Sequence, residues 1–67
     1  MDYEIIAREG DWEIMIDGSE GYLVNDELGI SQHIGIEMEV REIVESLGVD
    51  AAIDAAISYY KNELYDL

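Results

Sequence analysis

The chain has 67 residues, 49% of them hydrophobic, and its seventeen Asp and Glu against three Lys and Arg give a formal net charge of −14 at pH 7. This length suits one small domain, near the lower limit at which a single core folds unaided, and the hydrophobic fraction is too high for a disordered acidic tail. Cysteine is absent, which excludes disulfide scaffolds and cysteine-bearing zinc sites. We therefore expect residues 1–67 to form a single compact acidic domain.

The sequence also bears on the compartment. Its longest apolar runs are only a few residues long, far below the roughly 20 that span a bilayer. The N-terminal stretch MDYEIIAREG lacks the basic region of a secretory signal. We expect a cytoplasmic protein that has no membrane partner.

The first part of the chain predicts a β-meander. Residues 3–8 and 12–17 are rich in β-branched and aromatic residues, and the short Gly-containing stretch between them is typical of a hairpin. Alternation predicts that Tyr3, Ile5 and Ala7 share one face of the first strand. A turn at 17–21 and a short third strand at 22–24 follow. Residues 25–32 are interpreted as a connection without regular structure.

The second part predicts two helices. Residues 34–40 alternate as in a strand, which leaves a strand open as an alternative for residues 33–40. Five apolar residues nevertheless recur at helical spacing: Ile36, Val40, Ile43, Val44 and Leu47. We favour a helix over 35–47 that ends at Gly48. Asp50 is then expected to cap a second helix over 49–67.

The expected fold is therefore α+β, a three-stranded antiparallel meander followed by two α-helices (βββαα). The predicted core consists of the apolar residues on the inner faces: Ile5, Trp12, Ile14, Ile16, Val24, Val40, Ile43, Leu47, Ile53, Ile57 and Tyr60. The other side of the second helix carries small residues: Ala51, Ala55, Ser58 and Asn62. Such a side allows close approach by the first helix or by a second copy of the chain, so a homodimer is an alternative to a monomer.

Catalytic and metal-binding patterns are lacking. His33 is the only histidine, and without cysteine it supports neither a nucleophile arrangement nor a zinc site. The stretch that begins at Asp17 fails as a calcium-binding EF-hand loop, because Tyr22 stands where the glycine belongs and Leu28 where the glutamate belongs. Among seventeen acids some carboxylate pair is always close, so such a pair does not indicate an enzyme. We expect no enzymatic activity, no catalytic residues, no cofactor and no metal site.

The acidic charge is the property that indicates a function. Its magnitude exceeds the roughly 2–8 that suits a small soluble domain, and the acids are spread along the chain, nine in residues 1–33 and eight in residues 34–67. Nucleic acids and anionic membranes are poor direct partners for such a surface, because binding them requires basic groups. A basic protein surface is the complementary partner.

The first helix is the predicted centre of that contact. Glu39, Glu42 and Glu45 spread over its outer side, whereas Glu37 can pair with Arg41 at i,i+4 spacing. Arg41 can also reach Glu45, which leaves Glu39 and Glu42 without a local partner. Met38 lies on the same outer side, and methionine adapts well to binding surfaces. The candidate partner-binding residues are Glu37, Met38, Glu39, Glu42 and Glu45, extended by three acids of the loops, Glu20, Asp26 and Glu27.

In size and composition the chain resembles the small, strongly acidic inhibitors encoded by phages and mobile elements, including some anti-CRISPR proteins and other DNA mimics. The resemblance covers the whole chain, and no motif carries it residue by residue. It implies a non-enzymatic inhibitor whose carboxylates occupy the basic nucleic-acid-binding surface of a host protein or ribonucleoprotein. The alternatives are an acidic antitoxin that neutralises a basic toxin, and a small acidic structural or regulatory domain. A halophile domain is disfavoured because the chain is rich in isoleucine and contains no threonine.

Overall fold

A computed structural model describes residues 3–65 of the chain, with side chains described as far as residue 62. Four strands precede two helices: β1 (Tyr3–Glu9), β2 (Trp12–Asp17), β3 (Glu20–Asn25), β4 (Ile30–Ile36), α1 (Glu37–Leu47) and α2 (Val49–Tyr65). The strands form one antiparallel sheet in the order β1-β2-β3-β4. The α+β class is thus confirmed. The last two residues of the predicted second helix, Asp66 and Leu67, lie outside the described residues.

Within the described part of the chain, neither helix combines the length and the apolar character needed to cross a membrane.

The fourth strand corrects the prediction of three strands. Only residues 26–29 turn, and β4 pairs with β3 along its length. The buried Asn25 accepts a hydrogen bond from the backbone N–H of Leu28 through Oδ1 at 3.0 Å, and Gly29 adopts a φ of 70°. A buried Asn and a left-handed Gly therefore bracket a tight hairpin turn. The strand alternation visible from residue 34 already begins at residue 30, and α1 begins at Glu37 instead of residue 35.

One face of the sheet packs against both helices. Ala7, Ile14 and Leu23 are neighbours across β1, β2 and β3, and they meet Val40 of α1 and Ile53 of α2. Full burial of an aliphatic side chain as large as Ile14, Leu23 or Ile53 contributes about 1.5–3 kcal/mol. The buried hydrophobic residues among those described are Ala7, Ile14, Ile16, Leu23, Val40, Ala52, Ile53 and Ala56.

A bulge in β1 changes which of its side chains face the helices. The register of β1 against β2 shifts between Ile5 and Ala7, which leaves Ile6 as the extra residue. Ile5 is consequently 40% exposed on the face opposite to the buried Ala7, and Glu4 comes to the helix side. The prediction that Tyr3, Ile5 and Ala7 share one face is wrong for this reason.

Three further core predictions are wrong. Ile43 and Leu47 are 44% and 53% exposed on α1, because α1 meets the sheet mainly through Val40. Val24 is half-buried and pairs with Glu13 on the outer face of the sheet. The predictions for Ile14, Ile16, Val40 and Ile53 are confirmed, whereas Trp12, Ile57 and Tyr60 pack against the core while only partly buried.

The contact between Val40 and two glycines fixes α1 on the sheet. A Cβ atom placed on Gly21 of β3 would lie 2.6 Å from Cγ2 of Val40, and one on Gly35 of β4 would lie 3.5 Å from the same atom. The backbone N–H of Glu37 also donates to the carbonyl of Ser19 at 2.8 Å, which ties the start of α1 to the turn between β2 and β3. The missing side chain at Gly21 therefore lets α1 approach the sheet closely.

Gly48 joins the two helices, as predicted. Its φ is 86°, its N–H donates to the carbonyl of Val44 at 2.9 Å, and its own carbonyl accepts from Ala52 N–H at 3.0 Å. The bond from Ala52 N–H to the Gly48 carbonyl lies at the start of α2, which begins at Val49. Asp50 consequently lies inside the first turn of α2, and its predicted role as the cap is wrong.

We expect the substitution Gly21→Ala to lower the free energy of unfolding by about 1–3 kcal/mol, because the new methyl group overlaps Val40. Urea denaturation of Gly21→Ala, Val40→Ala and the double variant measures the coupling between the two sites. The double variant should lose less stability than the two single losses added together. Strictly additive losses would contradict the close contact.

Candidate protein-interaction surface

The outer side of α1 presents most of the predicted contact residues. Val40 points into the core, and each residue along the helix is turned by about 100° from the one before. Met38 therefore lies on the outer side, where it is 76% exposed. Glu39 and Glu42 lie on one flank of α1, beside Ile43.

The other flank of α1 is held to β1 by Arg41. Its Nε–H donates to Glu37 Oε2 at 2.8 Å, and its Nη2 donates to Glu4 Oε1 at 2.6 Å. The hydrogen bonds to Glu4 and then to Glu37 raise the pKa of Arg41 above its ordinary value. The predicted Glu37–Arg41 pair is confirmed. Glu37 and Glu4 thus share the single positive charge of Arg41, whereas Glu45, on the same flank, receives no hydrogen bond from Arg41.

Three carboxylates of α1 are left available for a partner. Glu39, Glu42 and Glu45 are all exposed, and none of them forms an ion pair or hydrogen bond with the described part of the chain. Arg8, the other arginine, pairs with Glu13 across the β1–β2 hairpin. Both arginines are therefore engaged with other carboxylates, and of the α1 glutamates they bind only Glu37.

The structure divides the predicted loop acids between two ends of the sheet. Glu20 lies at the start of β3, next to the turn that binds the first backbone N–H of α1, and its carboxylate is 3.5 Å from Nε2 of His33. Asp26 and Glu27 follow the other end of β3 and border a shallow depression with Asp11. At about 3.3 Å per strand residue, the six residues of β3 separate the two groups by close to 20 Å. Glu20 therefore lies on the outer face of the sheet, at the end nearer the start of α1, and Asp26 and Glu27 form a separate patch.

A second acidic cluster, which was not predicted from the sequence, joins the end of β1 to α2. A hydrogen bond with Asp50, partial loss of water and repulsion from Asp50 and Asp54 raise the pKa of the Glu9 carboxyl above its ordinary value of 4.5. Asp50 and Asp54 follow each other at i,i+4 spacing, which could have indicated a shared helix face. Their approach to Glu9 depends on how α2 crosses the sheet, which the sequence does not display.

No group of three or more His, Asp or Glu side chains within the described residues is arranged to hold a metal ion. His33 packs edge-on against the ring of Tyr22, with the ring centroids 5.5 Å apart, in addition to its contact with Glu20. Both contacts lie on the sheet, so His33 is placed as a surface residue of β4.

Comparison with known proteins gives no relative: no family model, curated protein or solved structure matches this chain.

We expect Glu9→Gln to raise the melting temperature at pH 7.5, because it removes one of three mutually repelling carboxyl groups. The folded-state pKa of Glu9 lies above its unfolded value, so the folded state holds this proton more tightly. The repulsion therefore destabilises the wild type fully above the folded pKa and fades as the pH falls toward 4.5. The advantage of Glu9→Gln should shrink over the same range.

Thermal melts between pH 4 and pH 7.5 test this prediction, and Glu39→Gln is the matched control. Glu39→Gln removes the same unit charge from a carboxylate that lies outside the Glu9 cluster. If the two variants gain equally at pH 7.5, the effect is one of net charge alone and the Glu9 cluster has no separate role.

Proposed function

We propose that this protein is a non-enzymatic inhibitor that binds the basic nucleic-acid-binding surface of a protein or ribonucleoprotein by DNA mimicry, in the manner of anti-CRISPR-like inhibitors. The observation that carries the proposal is the set of three exposed α1 carboxylates without a described ionic partner, Glu39, Glu42 and Glu45, on a chain with a net charge of −14. A surface that only needed to be soluble would not require this excess, which destabilises the compact state by self-repulsion.

The spacing of these charges supports mimicry of a nucleic-acid backbone. Glu39, Glu42 and Glu45 follow each other at intervals of three residues, which places one carboxylate per about 4.5 Å of helix axis. A single DNA strand carries one phosphate per about 3.4 Å of its axis. The linear charge density of α1 is thus close to that of a strand, with Glu39 and Glu42 on one flank of the helix and Glu45 on the other.

The fold holds these carboxylates in place before binding. Val40 is buried against Gly21, and Arg41 bridges α1 to Glu4 of β1. A helix fixed at both its inner face and its flank loses little backbone freedom when a partner binds, so association costs mainly the ordering of side chains. Charge complementarity accelerates the encounter with a basic surface.

Other predicted contacts extend this surface in different ways. Met38 stands exposed among the glutamates of α1, where it offers an adaptable apolar contact that slows dissociation. Glu20 lies beside His33 on the outer face of the sheet, near the start of α1, and would be reached by a partner that extends past that end of the helix. Asp26 and Glu27 lie at the other end of β3 and would be used only by a partner wide enough to reach both ends of the sheet.

The test begins with affinity capture of partners from a bacterial lysate, followed by competition of each purified partner with its own DNA or RNA. We expect the double substitution Glu39→Lys and Glu42→Lys to slow association by about tenfold or more, because both changes place repulsive charge on the contact. The association rate of the wild type should fall as salt is added. Surface plasmon resonance at several salt concentrations measures both effects.

The matched control is the double substitution Glu9→Lys and Asp54→Lys. Each Asp-to-Lys or Glu-to-Lys change adds two charge units, so both double variants move the net charge from −14 to −10 (−14 + 2 + 2). Glu9 and Asp54 are exposed and belong to the second acidic cluster, outside the candidate surface. Equal effects of the two variants would mean that net charge alone governs binding. A principal partner that still binds its nucleic acid with this protein attached would refute mimicry and favour the antitoxin alternative.

A further inference from the structure

An apolar groove opens between α1, α2 and β4. Its volume is about 240 Å³. The buried side chains of Ile14 and Val40 lie at its base. Its walls are formed by one residue of β4, one of α1 and four of α2: Ile34, Ile43, Ala52, Ala55, Ala56 and Tyr59.

The alanines of α2 are the reason that the groove exists. Ala52, Ala55 and Ala56 present only methyl groups toward α1, and the larger Ile43 on the facing helix does not fill the space they leave. Ala55 is exposed to solvent, so the groove is open and not an internal void. A side chain from outside can therefore enter without unfolding either helix.

The groove continues directly into the acidic flank of α1. Ile43 belongs both to the groove and to a neighbouring depression that Glu39 and Glu42 border. Leu47 extends the apolar surface along the same depression. An apolar recess is thus flanked by carboxylates that have no ionic partner among the described residues.

We infer that this groove receives one large apolar side chain of a basic protein segment, while Glu39 and Glu42 bind Lys or Arg residues that flank that side chain. The inference rests on the proposed function and specifies how the partner is held. The volume lies below the roughly 300–1,000 Å³ of small-molecule sites, which favours a single side chain over a cofactor. A second copy of this chain fits poorly, because it would bring another highly acidic surface against Glu39 and Glu42.

The two parts of the surface make different contributions to binding. Glu39 and Glu42 act at long range and steer the basic segment toward α1, so their effect falls with salt. The apolar side chain acts only once it has entered the groove and lost its water, as anchor residues do at the centre of interfaces. Association is therefore set by the carboxylates and dissociation by the groove.

Three synthetic helical peptides test the inference directly. The first carries Lys and Arg around a central Leu, the second has Ala in place of that Leu, and the third keeps the Leu but has Glu in place of the basic residues. NMR titration follows the methyl signals of Ala52, Ala55 and Ala56. We expect the first peptide to shift these signals and to bind about tenfold or more tightly than the second, as burial of one leucine implies. The third should not bind.

Protein variants separate the groove from the acidic flank. Ala55→Leu fills the groove without changing charge and should remove the advantage of the Leu peptide over the Ala peptide. Ala51→Leu is the control, since Ala51 is exposed on α2 but does not line the groove. Circular dichroism verifies that both variants keep their helices. Glu39→Gln with Glu42→Gln should weaken both basic peptides equally.

The outcomes that contradict the inference are distinct from those that contradict the proposed function. Equal binding of the Leu and Ala peptides, or no effect of Ala55→Leu, would overturn the groove and leave a purely electrostatic inhibitor. Failure of both basic peptides to bind would count against the acidic surface as well. A self-associating wild type that Ala55→Leu makes monomeric, measured by analytical ultracentrifugation, would assign the groove to a second copy and overturn a basic segment as its occupant.

Discussion

Val40 packs over Gly21 so closely that no side chain fits between α1 and β3, and this contact sets the rotation of α1 about its axis. With Val40 directed inward, Glu39 and Glu42 are directed to one flank, and Arg41 is directed to the other, where it reaches Glu4. The helix is too short to be stable alone in water. Its exposed carboxylates therefore have a fixed orientation only while the contact between Val40 and Gly21 holds. The core thus determines which carboxylates of α1 face solvent and on which flank.

Hydrophobic periodicity was sufficient to predict that both helices and the first three strands exist. It was not sufficient for β4. The composition of residues 25–32 predicts a loop. The hairpin is instead indicated by Asn25 and Gly29 on either side of a short turn, and not by an apolar alternation. The bulge at Ile6 could not be predicted for a related reason. The extra residue inverts the alternation of β1 without changing its composition.

The acidic residues of the candidate site could be read from the sequence, but their partners could not. Arg41 can reach either Glu37 or Glu45 by helical spacing alone, and its second bond instead goes to Glu4, 37 residues away in the chain. The repulsion at Glu9 likewise requires the crossing of α2 over β1. Long-range contacts therefore decide which of the many carboxylates are neutralised, which repel one another and which remain for binding. The composition determines the net charge, whereas the fold determines which carboxylates form ion pairs.

The core is small partly because Ile43 and Leu47 are exposed, on the flank of α1 that also carries Glu39 and Glu42. Both side chains have the spacing of core residues, yet α2 faces them with alanines, so the space between the helices stays partly unfilled. Filling it from within, with larger residues on α2, would stabilise a domain of this size. The domain bears strong self-repulsion and keeps an open apolar groove beside carboxylates that have no ionic partner among the described residues. Under the proposed function, a bound partner supplies the stabilisation that these two features remove. Binding would then complete the core at the same place where it neutralises the charge, and the stability of the domain would rise with partner concentration as linkage requires.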